Sequence, residues 1–108
     1  MDIVGIWEHP LPGHSAFREF NEDGTTTLAA GVIENLDSQP YSVSKSWFEE
    51  NRFMVEIIDT VINAECIGIV GIYEVQLLSD GSLHFVVIED DCAIRERANL
   101  AGEWIPVQ

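Results

Sequence analysis

At 108 residues the chain has room for one domain, 1–108, with one core, burying roughly two-thirds of the surface its unfolded form would expose. Against 5 Lys and Arg stand 19 Asp and Glu, a formal net charge of −14, which repels nucleic acid and anionic membrane surfaces and excludes both as partners. No apolar run approaches the ~20 residues of a membrane helix, and Met1-Asp2-Ile3-Val4 carries no basic leader ahead of an apolar stretch, so a cytoplasmic location is expected.

Residues 3–9, with Gly5-Ile6-Trp7, read as a first strand that stops at Pro10-Leu11-Pro12-Gly13. A second strand over 15–21 turns at Glu22-Asp23-Gly24 into the β-branched run Thr25-Thr26-Thr27 and on to residue 33. Residues 34–42 form a connection, after which 43–48 and 52–59 make a hairpin around Glu49-Glu50-Asn51. Two registers are open there. A three-residue loop pairs Trp47 with Phe53, whereas a two-residue loop pairs Lys45 with Glu56 as a cross-strand ion pair. Residues 60–65 bridge into the next hairpin.

That central hairpin spans 66–95 and turns on Ser79-Asp80-Gly81. Loop length fixes its register, and a slip of one residue would send every side chain to the opposite face. A two-residue loop scatters the apolar residues over both faces. A three-residue loop with glycine in the left-handed position pairs Leu78 with Ser82 and gathers Tyr73, Val75, Leu77, Leu83, Phe85 and Val87 on one face. The three-residue loop is therefore expected, with Glu89 on the same face opposite Gly71 and Cys92 opposite Gly68. Two cysteines make no disulfide framework. Buried thiols are expected in a cytoplasmic chain, although Cys66 and Cys92 become diagonal neighbours within ~7 Å, close enough to be bridged in an oxidising setting. Residues 93–101 suit a helical turn or two ended by Gly102, with an irregular crossing as the alternative, and 103–107 close the chain as a strand whose Pro106 fits an edge.

Strands joined mostly by tight turns favour antiparallel neighbours in a meander. The expected fold is all-β: an antiparallel up-and-down barrel of about eight strands with a short helical turn near the C-terminus. A two-sheet sandwich competes with it. Tryptophan-bearing strands at both chain ends favour closure.

Gly5-Ile6-Trp7, Asp23-Gly24-Thr25, Gly71-Ile72-Tyr73 and Asp90-Asp91-Cys92-Ala93-Ile94-Arg95 together resemble small lipocalin-like β-barrel domains of the calycin superfamily, in an order that spans nearly the whole chain. The chain lacks the Thr-Asp-Tyr motif of lipocalins proper. The resemblance implies that Trp7 packs at the closed end of the barrel beneath an arginine, Arg95 or alternatively Arg97. It also implies a small apolar molecule bound inside.

On the expected register Trp47, Phe53, Val55, Tyr73, Val75, Phe85 and Val87 would line the interior, with Trp47 at the mouth if the three-residue loop holds. An eight-stranded barrel either fills itself or holds one small ligand. Glu89 would point inward, where it either orients a polar end of the ligand or pairs with Arg18 or Arg95. Glu89-Asp90-Asp91 lacks an Asp-x-Asp-x-Asp-Gly loop, and His9, His14 and His84 lack zinc-site spacing. Neither cysteine has a nearby histidine, and no Gly-x-Ser-x-Gly elbow occurs. No metal and no cofactor are expected. Non-enzymatic binding of a small apolar or aromatic molecule is the leading expectation. The alternatives are an interaction module, homodimeric or adaptor-like, with an acidic surface, and a small isomerase or cyclase using Glu89 and Tyr73 as acid-base groups.

Overall fold

A computed structural model describes residues 2–31, 36, 42–60, 65–100 and 102–107. Eight strands follow in chain order: β1 (Gly5–Leu11), β2 (His14–Phe20), β3 (Thr25–Ala30), β4 (Ser42–Glu49), β5 (Arg52–Asp59), β6 (Val70–Leu77), β7 (Leu83–Asp90) and β8 (Gly102–Pro106). Each pairs antiparallel with the next, and β8 returns to β1, so the sheet closes into an up-and-down barrel rather than a sandwich. At the closing seam Trp7 lies opposite Pro106 and Glu8 opposite Ile105, and the Val107 N–H donates to the Ile6 carbonyl at 2.9 Å. A helical turn does follow β7, wound as a short π-helical segment over Arg95–Leu100. The connections expected over 34–42 and 60–65 fall largely outside the described residues.

The turn chemistry sets the registers. In the central hairpin the Leu78 N–H donates to the Ser82 carbonyl at 2.9 Å and Gly81 sits at φ 89°, the three-residue loop with a left-handed glycine. Tyr73 then faces Val87, Val75 faces Phe85 and Leu77 faces Leu83. The β2–β3 turn repeats this design. Asn21 N–H donates to the Thr25 carbonyl at 2.9 Å, and Gly24 takes φ 87°. In both turns the aspartate before the glycine accepts from the backbone N–H and the hydroxyl of the residue after it: Asp23 from Thr25 at 2.9 and 2.6 Å, Asp80 from Ser82 at 3.0 and 2.6 Å. These bonds favour the ionised form and hold both carboxyls below their usual range.

Between β4 and β5 the loop has two residues. Glu50 and Asn51 take φ 50° and 70°, the left-handed pair of a type I′ turn, whose twist matches that of the strands it joins. Lys45 therefore lies opposite Glu56 and Trp47 opposite Met54. This corrects the placement of Trp47 at the mouth: it stands on the outer face, and Phe48, opposite Phe53, takes the inward position at the rim. β1 also runs past its expected end, with Pro10 opposite Ser15. β8 pairs with β1 only at Trp7 and Glu8, so Pro10 lies on a free stretch of edge where its missing N–H costs no ladder bond.

The inward residues form one core containing Trp7, Phe20, Phe53, Val55, Ile57, Tyr73, Val75, Leu83, Phe85 and Trp104. Val55, Ile57, Tyr73 and Trp104 have 0% accessible surface, so no void large enough for water touches them. The middle of the barrel is solid. Among the described residues the seam between β3 and β4 is as short as the closing one, pairing Thr25 with Val43 and Thr26 with Ser42.

Candidate functional site

The barrel interior ends differently at its two mouths. At the mouth reached by the ends of β5 and β7, a buried polar cluster replaces the aliphatic core. It depends on a bulge. Tyr73 lies opposite Val87 and Ile72 opposite Glu89, so one extra residue of β7 enters between them. A bulge of this kind re-aims every side chain beyond it. Glu89, expected inward opposite Gly71, is instead exposed on the outer face, and Asp90 takes its place. The expectation for Glu89 is corrected because strict alternation was carried through a position where the ladder slips.

Asp90 uses both carboxylate oxygens. Oδ2 accepts from Arg95 Nε at 2.9 Å and from the Tyr73 hydroxyl; Oδ1 accepts from Arg95 Nη2 and from the Cys92 N–H, each at 2.8 Å. Arg95 Nη2 also donates to the Ile69 carbonyl at 2.8 Å, and Nη1 lies 3.0 Å from Asp59 Oδ1. Burial opposes charge on Asp90, but hydrogen bonds from Arg95, Tyr73 and Cys92 outweigh it and hold the carboxyl below its usual range. Burial, and then the bond to Asp90, push the Tyr73 hydroxyl well above its ordinary value. Burial works to lower the pKa of the Arg95 guanidinium, but its Asp90 and Asp59 partners outweigh burial, raise it above its ordinary value and keep it cationic.

Gly71 makes room for this pair, since a Cβ there would sit 2.6 Å from Asp90 Oδ2 and 3.0 Å from Arg95 Nη2. Beside the cluster, Cys66 and Cys92 are joined as a disulfide with Cα atoms 5.7 Å apart. The buried thiols expected there are replaced by a cross-link, made not by diagonal neighbours in the ladder but between residues that precede β6 and follow β7. A small void of about 30 Å³ lies among Arg18, Asp59, Glu65, Cys66, Cys92 and Arg95, space for about one water. Tyr73 and Glu89, named together as acid-base groups, are not brought together: the first is bonded to Asp90 inside, and the second is outside.

Arg95 is thus buried as a structural residue, but its partners are carboxylates and not the first-strand tryptophan. Trp7 donates its indole N–H to the Ile3 carbonyl at 2.9 Å, and the cation in register with it is Arg18. Arg97 is exposed.

The opposite mouth is open. A recess of about 230 Å³ is floored by Ile3, Phe20 and Phe53 and walled by Ser44, Ser46 and Gly24, with Asp2, Val4, Asn21 and Glu22 at its lip. The short β3–β4 seam leaves this space, because β4 runs on past Thr25 without β3 beside it. Phe48 stands at the same rim, 63% exposed, in tilted contact with Phe53 at 5.2 Å. Of the side chains expected to line a binding site, Phe53 alone reaches this recess; Val55, Tyr73, Val75 and Phe85 are packed beneath it, and Val87 is half-buried on the same inner face. Ile3, Phe20, Ser44 and Ser46 were not anticipated. Once the two-residue β4–β5 loop is chosen, alternation alone turns Ser44, Ser46 and Phe48 inward with Phe53.

Among the described residues no group of three or more His, Cys, Asp or Glu side chains is placed to hold a metal ion, and no helix is long and apolar enough to cross a membrane. No protein-family model, no characterised protein and no solved structure matches the chain. The barrel itself is consistent with a lipocalin-like fold.

Proposed function

We propose that this chain is a non-enzymatic binding protein of the lipocalin-like kind, which takes a small aromatic or apolar molecule at the open mouth of its barrel rather than in its middle. The recess over Ile3, Phe20 and Phe53 carries this reading. Its volume lies just below the ~300–1,000 Å³ usual for ligand pockets, which suits a compact ring system with one end left in water. The lip sets the polarity of that end: Asp2 and Glu22 disfavour an anion, and the Ser44 and Ser46 hydroxyls can donate to or accept from a neutral polar group. The polar cluster at the far mouth supports the same reading, because every oxygen of Asp90 is committed to a partner and none is left for proton transfer. The disulfide supports an oxidising compartment over the cytoplasm as the working location.

The test is a fluorescence titration with N-phenyl-1-naphthylamine, a neutral arylamine, beside 8-anilinonaphthalene-1-sulfonate, its anionic relative. Saturable binding of the first and not the second is expected. Ser46→Trp fills the recess from an exposed strand position and should weaken binding at least about tenfold with little change in melting temperature. Binding unaffected by Ser46→Trp, or no saturable binding of the arylamine, sinks the reading.

A further inference from the structure

Among the described residues no element covers the aliphatic surface on the outer face of β4–β7, which is separate from the recess. Val43, Ile58 and Val70 lie side by side across three strands. Ile72 sits two residues further along β6, opposite Glu89, and Ile88 is the residue the bulge leaves unmatched. Val43, Val70 and Ile88 are each at least 40% exposed, where side chains on a solvated sheet face are usually polar. A groove of about 410 Å³ runs along the edge of this patch, lined by Gly68, Ile69, Val70, Ile72, Glu89 and Asp91. Contiguous exposed aliphatics rimmed by polar residues mark interaction sites.

Charge decides the occupant. Of the five Lys and Arg residues, Arg18 and Arg95 are buried in the barrel and Arg52 pairs with Glu74 at 3.1 Å. Glu56, Glu89 and Asp91 border the patch, and the cation beside it is Lys45, opposite Glu56. A second copy docking through the same face would set carboxylates against carboxylates across a two-fold axis. A basic segment with interleaved aliphatic side chains satisfies floor and rim together. We infer that the outer face of β4–β7 is a docking surface for such a basic, apolar protein segment. This goes beyond small-molecule binding and does not depend on it.

Two short synthetic peptides of equal charge test the proposal at physiological salt, one alternating lysine with valine and one alternating lysine with serine. The valine peptide should bind at least about tenfold more tightly. Val70→Ser combined with Ile88→Ser, both at exposed positions, should bring the two peptides level, while Ile105→Ser, exposed on β8, and Ser46→Trp leave the difference intact. Equal binding of both peptides to the unaltered protein would mean charge attraction alone and overturn the proposal, as would equal loss in Ile105→Ser. Sedimentation showing a dimer that Val70→Ser with Ile88→Ser dissociates would assign the face to a second copy and overturn it too.

Discussion

The two mouths of the barrel solve the same problem in opposite ways. A closed sheet leaves its ends as the places where water meets the core. At one mouth the chain fills the end with charge: Arg95 between Asp59 and Asp90, capped by Tyr73 and fastened by the Cys66–Cys92 bridge. At the other it leaves a recess over aromatic rings and a few hydroxyls. The filled mouth is rigid because Asp90 and Arg95 each have several directional partners, so that removing either strands groups bonded to it. The open mouth is defined by apolar contact and a short seam, which tolerate a guest. Closing one end by polar geometry lets the other remain unfilled without loosening the barrel.

Arg95→Ala should break this asymmetry most severely. It strips the buried Asp90 of the guanidinium that meets both its oxygens, and losses of that kind run to about 3–5 kcal/mol, measured as a fall in the urea midpoint. Adding Asp90→Asn to Arg95→Ala should recover part of the loss, because the stranded charge is then gone; full additivity of the two substitutions would refute a coupled cluster. Opening the disulfide comes next. Its cysteines are 26 residues apart, for which loop closure predicts a loss of about 3.5 kcal/mol. On reduction, hydrogen exchange should accelerate first at residues 65–71 and 90–97, while arylamine affinity at the open mouth stays within about twofold. Affinity falling in step with exchange protection would mean that the two ends are not independent.

The filled mouth was less legible in the sequence than the barrel around it. Ser79-Asp80-Gly81 fixed the central register because only one loop length puts Tyr73, Val75, Phe85 and Val87 on a common face, and burial strongly selects that face. The β4–β5 register had no such preference. Both loops buried something apolar, and what decided it was the willingness of Glu50 and Asn51 to take positive φ, visible only as an asparagine at the right place. The exchange of Glu89 for Asp90 was hidden, since a bulge in a run such as Val86-Val87-Ile88 leaves no compositional mark. Gly71 was the available signal. A glycine inside a strand often marks a close approach, and here it lies opposite the residue whose carboxylate needs the space. The recess at the open mouth arises from how early β4 parts from β3, a distance that the 34–42 connection does not encode in any residue type.

The smallest expected effect is on pH, and it separates the two mouths without changing their shape. Asp90 is held below its usual pKa in the folded barrel by partners that the unfolded chain lacks. Its contribution is therefore complete above the unfolded value of roughly 4 and is lost as pH falls through the lower folded value. Urea midpoints of the unaltered protein and of Asp90→Asn should differ most near neutrality and converge as the pH drops from about 4 towards 2, because the protonated carboxyl and the amide are then nearly equivalent partners for Arg95. Ser46, in the wall of the open mouth, provides the contrast: Ser46→Trp changes no titrating group and should leave the acid limb of the stability curve unchanged. If Asp90→Asn keeps its full deficit at the lowest pH, the cost of that substitution lies in shape and not in charge, and the filled mouth is held by packing in the same way as the core beneath it.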